Sequence, residues 1–116
     1  MEPKVIFHID EMQKWRVLLN NVANLLMSYD GLSPDAKIEV LANSEAVKGY
    51  LPDHIADDLR AMDALVQKGV RFVACQNALN GMKISREQIV PFADVVPAGV
   101  RELADRQMAG YAYIKP

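Results

Sequence analysis

The stretch GVRFVACQNALNGMKI, residues 69–84, decides the fold class. Gly69 stands where a helix-ending glycine belongs, and VRFVA (70–74) is a run of β-branched, aromatic and small residues that reads as a strand. Gln76 to Asn80 then read as a short helix or turn, closed by Gly81. Helix, strand and helix in immediate succession is the order of an α/β protein with a parallel sheet. The same stretch carries the sole cysteine, Cys75, where strand gives way to helix.

Working outward, the alternation continues to both ends. KVIFHI (4–9) reads as a buried strand, and Asp10 is placed to cap the helix after it. From Glu11 to Tyr29 the apolar residues Trp15, Leu18, Leu19, Val22, Leu25, Leu26 and Tyr29 form one helical stripe, which DGLSP (30–34) ends. KIEVLA (37–42) is a second strand and SEAVKGY a short helix stopped by Gly49 and Pro52. A long helix begins after Asp53, with Ile55, Leu59, Met62 and Val66 on one face and Leu65 beside them. Ser85 and Gln88 form a capping box, and Pro91 ends that turn. DVVP (94–97) is a brief strand, AGVRELADRQMAG a helix with Val100, Leu103, Ala104 and Met108 inward, and YAYIK (111–115) a closing strand. Right-handed crossovers then give a mostly parallel sheet with helices on both faces.

The bulk properties narrow the function classes. A chain of 116 residues fits one domain, residues 1–116, which buries about 65% of its unfolded surface. With 13 Lys and Arg against 15 Asp and Glu, the net charge is −2, so no cationic excess points to nucleic acid. No apolar run is long enough to suggest a membrane span, and MEPKVIFHID does not read as a signal peptide. One cysteine excludes an intramolecular disulfide framework, and the expected compartment is the reducing cytosol.

Open α/β sheets carry their sites at the carboxyl ends of the strands. His8 and Asp10, Asn43 and Ser44, Cys75 and Asn77, and Pro97 and Gly99 fall there. Cys75 precedes a helix start, where free N–H groups and the helix dipole favour an anion such as a thiolate. The alternative is a small, unreactive residue filling space. Spacing removes several cysteine chemistries. A phosphatase loop needs Arg where Gly81 stands, and Lys83 is a poor substitute for the arginine of a rhodanese-like cradle. Dithiol exchange needs a second cysteine. A papain-like pair would require His8 to reach Cys75 from a neighbouring strand end. His54, beside Asp53, reads as solvent-facing. No metal site is expected, since three ligands do not converge by spacing, and no nucleotide-binding glycine motif occurs. Val17 and Met27 lie off the first helix's apolar stripe, either as scattered surface residues or as part of a subunit contact.

The segments VIFHIDE (5–11), NNVANLL (20–26), GVRFVACQNAL (69–79), VVPAGVREL (95–103) and QMAGYAYIKP (107–116), in collinear order, resemble the DsrE/DsrF-like family, in particular its small stand-alone bacterial and archaeal branch. The resemblance implies a three-layer α/β/α sandwich with a five-stranded, essentially parallel sheet. It also implies homotrimers or hexamers and a link to sulfur relay, in which a cysteine carries sulfane sulfur as a persulfide between donor and acceptor proteins. Cys75 matches the position of that cysteine and Asn77 the motif's asparagine. Ala78 stands where threonine is common, and Asn43 where many members have glycine. Such a carrier needs no cofactor, metal or second cysteine. The competing expectation is an oligomeric small-ligand-binding module, lined by His8, Asn43, Asn77, Pro97 and Gly99, in which Cys75 is only a wall.

Overall fold

The computed structural model describes residues 2–30 and 35–116. Five strands, β1 (Lys4–Ile9), β2 (Lys37–Ala42), β3 (Arg71–Cys75), β4 (Asp94–Val96) and β5 (Ala112–Ile114), form one sheet in the order β4-β3-β2-β1-β5. Every pairing is parallel. The helices are α1 (Trp15–Tyr29), α2 (Ala56–Gln67), α3 (Gln76–Gly81) and α4 (Gly99–Met108). Residues 31–34 of the turn expected at 30–34 lie outside the described residues.

Topology decides which helices share a face. From β1 to β4 the chain steps in one direction across the sheet, so right-handed crossovers stack the intervening helices on one side. β5 returns to the far side of β1, and the reversal sends α4 to the opposite face. Two cores result. Val5, Phe7, Ile9, Val40, Phe72 and Ala74 point into the larger one, with Trp15, Leu18 and Val22 of α1, Met62 and Leu65 of α2 and Leu79 of α3. On the other face the apolar cluster is small, with Ile6, Leu41 and Val73 under Leu103 of α4. The arrangement is a three-layer α/β/α sandwich with one thick and one thin outer layer.

The strands lie within a residue or so of where the sequence puts them. The helix ends differ more. Asp10 does not cap the first helix; Glu11 leads into a 3₁₀ turn, Met12–Lys14, before α1, and Asp10 instead pairs with Lys115 at 3.2 Å. Gly69, with φ of +94°, ends α2 as expected, while the Val70 amide bonds back to the Leu65 carbonyl at 3.0 Å. Ile55 precedes α2 and is exposed. His54 is not solvent-facing: its side chain is covered against Trp15 and lies 3.1 Å from the buried Asp58 carboxylate. The capping turn at 85–88 forms, with the Ser85 amide donating to Gln88 Oε1 at 2.8 Å.

The largest departure concerns α4. Of the four residues expected inward, only Leu103 is buried; Val100 is 70% and Met108 79% exposed, and Ala104 is exposed between them. A lone helix over a sheet packs along a narrow line, so the i, i+4, i+8 stripe of Val100, Ala104 and Met108 faces outward.

Candidate functional site

Cys75 ends β3, on the thin-layer face, and the residue is 6% exposed. Its sulfur accepts the Gly99 amide hydrogen at 3.2 Å, a contact across 24 residues. Gly99 is the first residue of α4, so this N–H belongs to the unsatisfied set at a helix start. Anion-favouring polarity therefore reaches the sulfur from α4 and not, as the sequence suggests, from the helix that Cys75 itself precedes. Contact is close enough to favour glycine: a Cβ at position 99 would lie 3.1 Å from Cys75 Cβ and from Leu41 Cδ1, and 3.4 Å from Sγ.

His8 ends up in a different partnership. β2 lies between β1 and β3, so two strand spacings, about 9–10 Å, separate the strand of His8 from that of Cys75. A direct His8–Cys75 pair is thereby excluded as a papain-like arrangement. Instead His8 Nε2 lies 2.9 Å from Asn43 Oδ1, and Nδ1 lies 2.6 Å from the Tyr113 hydroxyl. An amide oxygen only accepts, so Nε2 carries a proton. In the neutral ring Nδ1 then accepts from Tyr113. The last paired residues of β2 and β3 are Ala42 and Ala74, so Asn43 and Cys75 are the next positions along neighbouring strands. Asn43 thus stands between the histidine and the cysteine. Asn77 and Pro97 are exposed, each two residues from the Cys75–Gly99 contact along the chain.

The structure consequently joins Cys75 to Gly99 and His8 to Asn43. Tyr113, absent from the sequence-based set, joins the second pair because β5 lies beside β1, with Tyr113 in register with Ile6. No local motif signals it; the contact spans 105 residues.

The sequence model of the DsrE/DsrF-like family matches residues 16–116. The chain belongs to the DsrE/DsrF-like family. Among solved structures, this DsrE/DsrF-like chain is similar to MTH1491 from Methanobacterium thermoautotrophicum, a protein of unknown function. The two are 32% identical, with a TM-score of 0.88 over 99% of this chain and 100% of the other. It shares its fold with the ychN protein of E. coli, at 16% identity and a TM-score of 0.73 over 100% of both chains. BT1422 of Bacteroides thetaiotaomicron, also of unknown function, is 16% identical with a TM-score of 0.74 over 97% of this chain and 94% of that one. No functionally curated protein matches the sequence.

A second polar group lies toward the other end of α4 in this DsrE/DsrF-like fold. Glu39 of β2 is 3% exposed, and its Oε1 is 3.1 Å from Arg71 Nη1 and 3.3 Å from Arg106 Nε. The same two nitrogens reach Glu102 Oε2 of α4 at 3.2 and 2.9 Å. Arg71 also donates to Asp94 at 2.9 Å. Burial, and then the Glu102 carboxylate beside it, push Glu39 up to about 7, while the hydrogen bond with Glu39 and the Arg106 guanidinium hold Glu102 low. A glutamate inside KIEVLA and an arginine inside VRFVA were the available sequence signals: a charge within a covered strand requires a partner. Among the described residues, no helix is long and apolar enough to cross a membrane.

Proposed function

We propose that this chain, acting as one domain over residues 1–116 in the reducing cytosol, is a single-cysteine carrier of sulfane sulfur. The Cys75 thiolate attacks the outer sulfur of a donor persulfide. The donor S–S bond breaks, the donor leaves as a thiolate, and Cys75 holds the sulfur as a persulfide. Attack by an acceptor thiolate on that outer sulfur returns Cys75 to its starting state with no net oxidation. One observation carries this reading: the Gly99 amide at the start of α4 donates to Sγ at 3.2 Å. A donor in that position stabilises the thiolate as nucleophile and as leaving group. Family membership supports the same chemistry.

The 6% exposure of Cys75 favours a second reading, a small-ligand-binding module in which the thiol only lines a wall beside His8, Asn43, Asn77, Pro97 and Gly99. Incubation with a low-molecular-weight persulfide, followed by intact mass measurement, separates the two. The carrier gains about 32 Da, one sulfur atom, on the Cys75 peptide and loses it to a reducing thiol. No gain, under conditions where the same thiol is slowly alkylated, would leave only the binding module.

Assembly into trimers or hexamers belongs to the same proposal and is supported by the outward stripe of Val100, Ala104 and Met108. Large exposed apolar residues aligned on one helix face suit a subunit contact better than water. Light scattering is expected to give a mass of three or six chains. Val100→Glu combined with Met108→Glu is expected to give monomers whose circular dichroism is unchanged. A wild-type monomer at micromolar concentration would contradict the assembly.

A further inference from the structure

The Glu39–Glu102 cluster has no place in the sulfur chemistry, yet it lies under the helix that covers Cys75. α4 rests on β1 and β2 with a small apolar footing, chiefly Leu103 on Ile6, Leu41 and Val73. At its start Gly99 closes over the thiol. One turn on, Glu102 joins Glu39 through two shared arginine nitrogens. Two carboxylates converging on the same N–H groups stand close enough to repel when both are charged. Glu39 Oε2 is buried and has no hydrogen-bond partner among the described residues. A carboxylate buried beside a second one is relieved of repulsion when one of the two carries a proton, and an oxygen without a donor is a place to carry it. Geometry thus calls for one proton between the pair.

We propose that this shared proton is a latch: it fastens α4 to the sheet, and its loss as pH rises loosens α4 and uncovers Cys75. The groups around Glu39 are Arg71 from β3, Asp94 from β4 through Arg71, and Glu102 and Arg106 from α4. Lys37 of β2 and Tyr111, ahead of β5, line the same open cleft of about 190 Å³. Lys4 of β1 lies beyond the Tyr111 ring, 6.0 Å from its centre. With Glu39 neutral, two arginines face the carboxylates of Glu102 and Asp94 in balance. With Glu39 charged, three carboxylates face two arginines, and the group carries one net negative charge beside a Glu39 side chain that is itself buried.

Linkage gives the sign. Glu39, near 4.5 when exposed and raised to about 7 in the fold, holds a proton that favours the closed form. Its contribution is complete below about 4.5, falls between there and about 7, and is lost above. Glu102, held low, acts oppositely and only in more acidic solution. The thiol's role as sulfur acceptor rests on the carrier reading; the latch itself does not.

Amide hydrogen exchange of the intact wild-type protein, with exchange times matched for intrinsic pH dependence, tests it without sulfur chemistry. Protection of the α4 segment is expected to fall about tenfold between about pH 6 and pH 8, while that of β2 and β3 changes little. Glu39→Gln supplies a permanent neutral donor toward Glu102 and is expected to flatten the α4 profile, with protection at the higher pH exceeding that of wild type. A wild-type α4 profile that does not change with pH overturns the latch, as does an equal fall in Glu39→Gln. Because the wild-type series needs no variant, a poorly folded Glu39→Gln leaves a decisive measurement. Persulfide loading, scored separately by mass, distinguishes failure of the latch from failure of the carrier reading.

Discussion

Cys75→Ser is expected to abolish sulfane-sulfur loading completely while leaving the fold in place. Serine keeps a group that accepts the Gly99 N–H, now through oxygen, but an alcohol is not the soft nucleophile that captures sulfur from a persulfide. The stability cost should be modest, about 1–2 kcal/mol, since a hydroxyl replaces a thiol at a 6% exposed site. Gly99→Ala supplies the graded counterpart. The added methyl would stand 3.1 Å from Cys75 Cβ and Leu41 Cδ1, so these neighbours or the start of α4 must give by a few tenths of an ångström, which is expected to lengthen the N–H contact to the sulfur. Loading is then expected to slow by roughly tenfold, the scale of about 1.4 kcal/mol for one charge-assisted hydrogen bond. Both variants are read by intact mass after a timed exposure to the persulfide donor. If Cys75→Ser still gains sulfur, the acceptor lies elsewhere; if Gly99→Ala loads at the wild-type rate, the helix-start contact has no part in the chemistry.

Trp15→Ala is expected to be among the most destabilising single changes, at about 3–5 kcal/mol. Trp15 is 1% exposed in the larger core, edge-on to Tyr50 at 5.4 Å, and its Nε1 donates to the Ala46 carbonyl at 3.0 Å. Deletion of the indole therefore opens a cavity between α1 and the short helical segment at 44–50, and strands a buried carbonyl. For a domain of this size the melting temperature should fall by roughly 15–25 °C. The indole lies against Gly49, where a Cβ would overlap three of its atoms. Gly49→Ala is thus expected to cost about 1–3 kcal/mol through overpacking. Trp15→Phe in the same chain should recover part of that loss, because the smaller ring makes room for the methyl. Urea titrations of the two single variants and the double variant give the coupling directly; strictly additive losses would show that the two positions do not press on each other.

Much of the architecture was legible because local patterns are short-range physics. Trp15, Leu18, Leu19 and Val22 recur at helical spacing and are buried as that spacing demands. The runs at 4–9, 37–42 and 70–74 are rich in β-branched and apolar residues, and all three are strands of the sheet. Their alternation with helices left a parallel sheet as the natural solution. Legibility stopped where a residue's neighbour is far along the chain. In α4, periodicity revealed apolar residues at 100, 104 and 108 but not what covers them, and in the single chain they face outward.

The candidate site divides in the same way. Sequence alone placed Cys75 at a strand end, set Asn43 and Gly99 on the same edge, and excluded chemistries that need Arg at position 81 or a second cysteine. Tertiary structure decided that β2 separates His8 from Cys75, that Tyr113 completes the histidine's hydrogen bonds, and that α4 supplies the donor to the sulfur. It also buried Glu39 against Glu102 and two arginines. The physical reason is the reversal of strand order after β4. Handedness sends that one connection, and so α4, across the opposite face and sets β5 beside β1, and the contacts that define the site exist only once that crossing is made.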